Sequence, residues 1–226
     1  MPNNSYEIEI KSLLGNKESA DKLIEKMRGA DPNFQILGAH KQLNHYFVDG
    51  DLVRLYDNVS NIIETDKKEK LKGLAAKAKD YSVRTRWADG KVILVVKASV
   101  DATTSSNGTA RLEWESLMNL ELEKLDELVL GSGFNYQAKW SRERQDFKFK
   151  DLNVSIDKNA GYGYLAEFEK VIGDESLATQ TKLEIRNLMK ELGALELPQD
   201  RLARMFDYYN QNWQDYYGTE KIFNIA

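Results

Sequence analysis

The sequence predicts an α+β fold, an eight-stranded antiparallel β-barrel with a charged lumen and helices packed on its outside. Several short segments alternate strictly between charged and apolar residues, which in a strand puts the charges on one face and the apolar side chains on the other. Segments with apolar residues at helical spacing lie between these strands. Helices packed on the apolar face would cover it and leave the charged face to line the interior.

Composition narrows the class of protein. The chain has 226 residues, enough to bury a core, with 32 Lys and Arg against 36 Asp and Glu and a net charge of −4. This balance gives no reason to expect binding to nucleic acid or to an anionic membrane. The lack of cysteine excludes disulfides and thiolate metal sites, and no apolar run is long enough for a membrane helix. We expect a soluble cytoplasmic protein.

The first predicted strand covers residues 6–11 and has the sequence YEIEIK. Glu7, Glu9 and Lys11 share one strand face, and the two isoleucines between them share the other. Two carboxylates and an ammonium group in this arrangement could hold a divalent cation beside an anionic ligand. Taken alone, the pattern is more typical of an edge strand with a solvated outer face.

The return of this alternation favours a site. It recurs at 111–115 (RLEWE) and at 167–169 (EFE), again with apolar residues on the opposite face. A fourth acidic pair, Glu121 and Glu123, lies among leucines at helical spacing and is therefore excluded.

The remaining elements are assigned by periodicity and by glycine or proline breaks. Helices are predicted at 17–29, 52–79, 119–130 and 176–192, with a last helix after Pro198. Further strands are predicted at 34–48, 81–87, 92–97, 139–149, 152–157 and 162–171. The polar segment 101–108 is expected to be a hairpin loop, the lysines of 67–79 a solvated helix face, and the aromatic tail from Trp213 a packing element. We expect a domain over 1–173 and C-terminal helices over 174–226 that pack on the barrel.

Charged residues on the predicted strand faces form two sets. Arginine forks and lysines suit phosphate oxygens, and clustered carboxylates are hard ligands for Mg²⁺ or Mn²⁺. Together they describe a site for a polyphosphate that carries its metal. The basic set is Lys11, Arg84, Arg86, Lys97, Arg111, Arg142 and Arg144, and the acidic set is Glu7, Glu9, Glu113, Glu115, Asp157, Glu167 and Glu169.

Taken in order, these segments resemble the signature of the CYTH, or triphosphate tunnel metalloenzyme, superfamily. The matching segments are Glu7-x-Glu9-x-Lys11, Arg84-x-Arg86, Val95-Val-Lys97, Arg111-x-Glu113-x-Glu115, Arg142-x-Arg144, Ile156-Asp157 and Glu167-Phe-Glu169. The resemblance covers about residues 6–171. It implies an eight-stranded antiparallel tunnel, triphosphate substrates and Mg²⁺ or Mn²⁺ as cofactor.

The resemblance also implies roles for single residues. Catalysis is expected of Glu7, Glu9, Lys11 and Glu169, and phosphate binding of the whole basic set. Metal is expected at Glu7, Glu9, Glu167 and Glu169 with Asp157 nearby, and Glu115 of the acidic set is counted as a further metal ligand. Asn44 stands where the family often has an acid, so it receives no metal role. His40 and His45, the only histidines, are interpreted as strand residues.

The resemblance leaves the reaction open. We expect a hydrolase of inorganic tripolyphosphate or of an organic triphosphate, because no segment argues for a base pocket. A class IV-type adenylyl cyclase acting on ATP and a binding module without turnover are the alternatives. An RNA 5′-triphosphate end and a homodimeric state are left open. If the empty site holds like charges together, Arg86→Ala and Arg144→Ala should weaken substrate binding and raise thermal stability.

Overall fold

The computed structural model describes residues 6–78, 80–99 and 111–225, so the expected loop at 101–108 lies outside the described residues. The described chain has eight β-strands and six α-helices, an α+β composition. The strands are β1 (Tyr6–Gly15), β2 (Gln35–Asp49), β3 (Asp80–Ala88), β4 (Lys91–Ser99), β5 (Arg111–Met118), β6 (Phe134–Phe149), β7 (Leu152–Asn159) and β8 (Gly163–Ile172). The helices are α1 (Lys17–Ala30), α2 (Leu52–Val59), α3 (Thr65–Lys77), α4 (Leu122–Gly131), α5 (Ala178–Leu192) and α6 (Gln199–Asn212).

The eight strands form one antiparallel sheet in the order β1-β8-β7-β6-β2-β3-β4-β5. The predicted fold class is confirmed. Contacts divide the chain into two compact units, unit 1 (Met1–Lys41 and Ser141–Ala226) and unit 2 (Gln42–Trp140). The expected domain boundary near residue 173 stays a prediction.

Unit 1 buries the apolar face of its strands under α1 and α5. Ile8 and Ile10 of β1 are buried, whereas the glutamates between and beside them are exposed, as the alternation predicts. Phe168 of β8 and Ile185 of α5 belong to the same core cluster. Full burial of a side chain such as Phe168 contributes about 1.5–3 kcal/mol, so this apolar face stabilises the placement of the polar one.

Helix α1 is fixed at both ends by side chains. The Asn16 carboxamide accepts from the Ser19 N–H at 2.9 Å and caps the first turn. At the other end the buried Asp31 carboxylate accepts the N–H groups of Asn33 and of Lys150, the latter at the β6–β7 turn. Asp31 therefore ties the end of α1 to the sheet.

The C-terminal part of unit 1 packs against β1 and β8. Helix α5 stops at Gly193, whose φ of 72° lies in the left-handed region that favours glycine. Beyond it, the Leu197 N–H donates to the Lys11 carbonyl on β1 at 2.7 Å. The rings of Tyr209 and Tyr216 lie 6.3 Å and 5.3 Å from the ring of Phe223. The aromatic tail packs as expected.

Unit 2 buries the apolar face of β3, β4 and β5 under α2, α3 and α4. Its core cluster includes Phe47, Leu71, Val83, Leu94 and Leu125. The continuous helix expected over 52–79 is wrong, because two helices separated by 60–64 cover this stretch. The buried apolar residues of this stretch belong to separate helices, and each helix packs on the core by itself.

Within the described ranges, no helix is both long enough and apolar enough to cross a membrane.

Candidate functional site

The polar face of unit 1 is built from alternate residues of β1, β8, β7 and β6. The strand register pairs Glu9 with Glu169 and Lys11 with Glu167, and it continues from Glu167 to Ser155 on β7. Because residues two apart share a face, these pairs lie in adjacent rows on the same side of the sheet. The charges that the sequence placed on separate strands thus form a continuous surface.

Glu9 and Glu169 are direct cross-strand neighbours. Side chains in this relation have Cβ atoms about 4.5–5.5 Å apart, and like charges there repel. Glu7 lies two residues before Glu9 on the same face and is exposed. This part of the polar face therefore favours a bound cation.

Lys11 lies in the row next to Glu9 and Glu169, where it pairs with Glu167. Its Nζ lies 3.0 Å from Glu167 Oε1 and also contacts Glu9 Oε1. The ammonium group thereby links the glutamates of β1 and β8.

Arg144 of β6 is held by two carboxylates. Its Nε and Nη2 donate to the two oxygens of Asp157 at 2.7 Å each, and Nη2 also donates to Glu167 Oε2 at 2.6 Å. These hydrogen bonds, led by those to Asp157, raise the pKa of Arg144 well above its usual value. Nη1 of Arg142 lies 3.8 Å from Asp157 Oδ2. Asp157 thus orients the two arginines of β6, and its metal role stays a prediction.

Glu167 stays ionised although it is largely enclosed. Burial alone would raise the pKa of its carboxyl, but the charges and hydrogen bonds of Lys11 and Arg144 outweigh burial and lower it. A carboxylate of this kind is suited to hold cations at neutral pH.

A divalent metal fits the donor chemistry of this face. Glu9 and Glu169 are cross-strand neighbours that offer hard carboxylate oxygens, and Lys11 contacts Glu9, so a divalent cation would add to the positive charge already present there. No three His, Asp or Glu side chains in the described ranges are already grouped as a metal site. Lys11 and Arg144 contact the nearby carboxylates instead.

The polar face of unit 2 carries the other predicted phosphate ligands. Arg84 and Arg86 alternate with buried Val83 and Thr85 on β3, and Lys97 of β4 pairs with Ser82 on the same face. Arg84 Nη1 donates to the Tyr46 hydroxyl at 3.3 Å, and Arg86 Nε donates to Asn44 Oδ1 at 2.9 Å. Asn44 therefore orients an arginine from the position where the family often has an acid.

Two further predicted residues lie on β5. The register places Glu115 opposite Val95, and its side chain is exposed. Arg111 pairs with Ser99, but its side chain lies outside what the structure describes. Their assigned roles stay predictions.

A buried polar cluster in unit 2 was missed by the sequence analysis. Asp126 of α4 accepts from Thr85 Oγ1 and from the Tyr136 hydroxyl at 2.6 Å each, and its Oδ2 lies 2.7 Å from His45 Nδ1. A signal was present, because Asp126 interrupts the buried stripe of α4 next to Leu125. His45 lies on β2, as interpreted, and His40 lies on the same strand with its Nε2 3.7 Å from Asp146 Oδ2.

With this geometry in hand, comparison with known proteins gives the family. The model of the CYTH domain matches residues 5–201. The chain belongs to the CYTH family. CYTH proteins are generally enzymes, triphosphatases and cyclases, that depend on divalent metal, and their fold is a tunnel-shaped barrel. No curated protein sequence matches the chain.

Two solved structures align with the chain, and the first supports the fold. A candidate adenylate cyclase from Vibrio parahaemolyticus aligns with a TM-score of 0.51 and 13% identity, over 89% of this chain and 98% of that one. A Pyrococcus horikoshii protein aligns with a TM-score of 0.49 and 17% identity, over 86% of this chain and 93% of that one. The Vibrio structure has the same fold as this CYTH chain.

Proposed function

We propose that this CYTH protein is a divalent-metal-dependent hydrolase of triphosphates, either inorganic tripolyphosphate or an organic triphosphate. The observation that carries the proposal is the juxtaposition, on one face of unit 1, of a cross-strand pair of glutamates and an arginine held by carboxylates. The first is a place for a metal ion and the second is a place for phosphate oxygens. Together they suit a substrate that brings anionic oxygens and a metal.

Arg144 and Lys11 are the proposed phosphate-binding residues of unit 1. Asp157 and Glu167 accept hydrogen bonds from Nε and Nη2 of Arg144, so we assign the Nη1 edge of the guanidinium to a phosphate oxygen. Because the guanidinium is already fixed, little side-chain entropy is lost when the substrate binds. Arg142, beside the same aspartate, is proposed to contact a second phosphoryl group.

Glu9 and Glu169 are the proposed principal metal ligands, with Glu7 as a further donor. Bound there, Mg²⁺ or Mn²⁺ would neutralise negative charge on the phosphoryl oxygens. The protein's own part is to fix the two carboxylates opposite each other and to hold Lys11 beside them.

The polar face of unit 2 carries proposed phosphate ligands of its own, Arg84, Arg86 and Lys97, and Arg111 keeps the same proposed role from the sequence. Asn44 and Tyr46 fix the two guanidinium groups of β3 in advance. Several cations on one face suit a polyanion better than a single phosphate group.

Hydrolysis needs only this grip, a metal and a water molecule in line with the bond that breaks. The water oxygen bonds to the terminal phosphorus, the bond from that phosphorus to the bridging oxygen breaks, and the diphosphate leaves. The proton of the attacking water passes to a bulk water or to the leaving diphosphate, so no histidine is required.

Cyclisation of ATP is the second candidate. It is supported by the half-buried ring of Tyr46, 5.6 Å from Arg84 Cζ, which could stack on a base, and by the name of the Vibrio relative. The ribose 3′-hydroxyl would then attack the α-phosphorus and release diphosphate. Hydrolysis remains our first choice because it needs no such pocket.

Product analysis tests the proposal. The protein is incubated with tripolyphosphate or ATP in Mg²⁺ or Mn²⁺, and the products are separated by ion-exchange chromatography. We expect equal amounts of orthophosphate and diphosphate from tripolyphosphate, and no turnover in EDTA. Glu18→Gln, an exposed change on α1, should retain activity. Cyclic AMP with diphosphate as the main products would favour the cyclase, and tight binding without turnover would favour a binding module.

A further inference from the structure

The buried polar cluster of unit 2, made of Asp126, His45, Thr85 and Tyr136, joins one helix to three strands. Asp126 is 3% exposed, His45 2% and Thr85 0%. The three partners of the carboxylate come from β2, β3 and β6. A single side chain therefore fixes α4 to all three strands.

This cluster lies behind the arginines of the polar face. His45 and Thr85 are a direct cross-strand pair. The pairs on either side of it are Asn44 with Arg86 and Tyr46 with Arg84, in which each arginine donates to its partner. Successive residues of a strand point to opposite faces, so the carboxylate pins the backbone between the two arginines from the reverse side.

Packing a helix on a sheet through a buried carboxylate has a free-energy cost that apolar packing avoids. Burial of a carboxylate is unfavourable, and apolar side chains of similar volume commonly pack as well or better. Here the hydrogen bonds from His45, Thr85 and Tyr136 outweigh the effect of burial and lower the pKa of Asp126. Lys139 adds a positive charge, with its Nζ 3.7 Å from Oδ2. What a directional network provides, and apolar packing does not, is a fixed position for each strand.

We infer that Asp126 is a positioning residue for phosphate binding, acting through Thr85 and His45 on Arg84 and Arg86. The inference rests on the proposed function, because it takes these arginines to bind a triphosphate. Asp126 itself lies on the opposite face from the arginines and touches no substrate.

Asp126→Asn is the main test. The substitution keeps the shape of the side chain but replaces one carboxylate oxygen with an NH₂ group. This donor would face the donor groups of His45 and Tyr136, or that of Thr85, and could not accept their hydrogen bonds. We expect the Kd for tripolyphosphate, measured by calorimetry, to rise about tenfold, which corresponds to partial loss of one hydrogen bond to a charged group. Thr85→Ser keeps the hydroxyl and should bind like wild type, whereas Thr85→Val should weaken binding in the same direction as Asp126→Asn.

Asp31→Asn is the matched control. Asp31 is also a buried acid that ties a helix to the sheet, but it lies in unit 1 and accepts backbone N–H groups. It should lower the thermal midpoint as Asp126→Asn does and leave the Kd unchanged. This comparison separates positioning from stability alone.

Each outcome bears on the inference. An unchanged Kd in Asp126→Asn, or an equal rise in Asp31→Asn, would overturn the positioning role and leave the proposed function intact. A wild-type protein that binds neither tripolyphosphate nor ATP would overturn both. Should Asp126→Asn not fold, Thr85→Val against Thr85→Ser gives the same decision, and equal Kd values in that pair would refute the role.

Discussion

Removal of Arg144 should destabilise the protein strongly, although the sequence alone suggested the opposite. From the sequence, the basic residues were expected to repel one another in the empty site, so that removal of one of them would raise thermal stability. In the structure, Arg144 instead neutralises Asp157, a carboxylate that is only 2% exposed. Arg144→Ala leaves that carboxylate buried without the hydrogen bonds to its two oxygens.

The size of the effect follows from the burial. Loss of one partner of a buried ion pair costs about 3–5 kcal/mol when the remaining charge is uncompensated. Arg142 Nη1 still lies 3.8 Å from Asp157 Oδ2 and compensates part of that charge, so this range is an upper bound. For a chain of this length, each kcal/mol lowers the thermal midpoint by about 2–4 °C, so we expect a drop of at most about 6–20 °C. Glu167 keeps Lys11 as a partner and should add little to the loss.

The assay is urea unfolding followed by circular dichroism, without substrate or metal. Arg186→Ala is the control, since Arg186 makes the same two-pronged contact with Glu196 at 2.7 Å and 3.0 Å, but with side chains 49% and 41% exposed. An exposed pair is worth at most about 1 kcal/mol. The double variant Arg144→Ala/Asp157→Asn should recover part of the stability because it removes the buried charge. Equal losses in the Arg144 and Arg186 variants, or no recovery in the double variant, would refute the reasoning.

Three other predictions test other parts of the molecule. Glu169→Gln should abolish metal-dependent turnover with the fold intact. It should also raise the free energy of unfolding of the metal-free protein slightly, by about 0.2–1 kcal/mol, because repulsion with Glu9 is relieved. Full Mg²⁺-dependent phosphate release in this variant would contradict the metal assignment. The pKa of Asp126 in the folded state lies below its ordinary value of about 4, so the stability that the ionised carboxylate contributes is present above that pH and is lost as the pH falls. The free energy of unfolding of Asp126→Asn should therefore depend less steeply on pH in the acid range than that of wild type. Identical slopes would contradict this. Gly163→Ala should cost at least about 1–3 kcal/mol in urea unfolding, since Gly163 has a φ of +71° and an added Cβ would lie 2.0 Å from the Gly15 carbonyl oxygen. Gly29→Ala, with open space around it, should be neutral or stabilising.

The sequence predicted which face each strand presents, but not which residues meet across strands. Alternation in YEIEIK places Glu9 and Lys11 on the polar face, and the structure agrees. The register that sets Glu9 against Glu169 depends on how β1 docks on β8, and no local pattern encodes that docking. The helix break at 60–64 was missed for a similar reason, because either of two short helices or one long helix satisfies the same local spacing.

Within the site, single roles depended on partners that are remote in sequence. Asp157 was expected near the metal, and the structure engages both of its oxygens with Arg144. Asn44 was set aside as a departure, and its amide oxygen fixes Arg86. Such pairings follow from tertiary contacts, so composition and periodicity could name the charged residues but not match them to one another.

The pairing of β1 with β8 also has a consequence for how the molecule is made. The strand that carries Glu7, Glu9 and Lys11 is synthesised before the other described strands, yet its partners are β8, the last strand of the sheet, and Leu197 beyond it. A nascent chain must therefore hold this acidic motif unpaired until β8 has been translated. A chain truncated before β8 would carry Glu9 without the strand that sets Glu169 opposite it, so this pair of glutamates is assembled only once β8 has been synthesised.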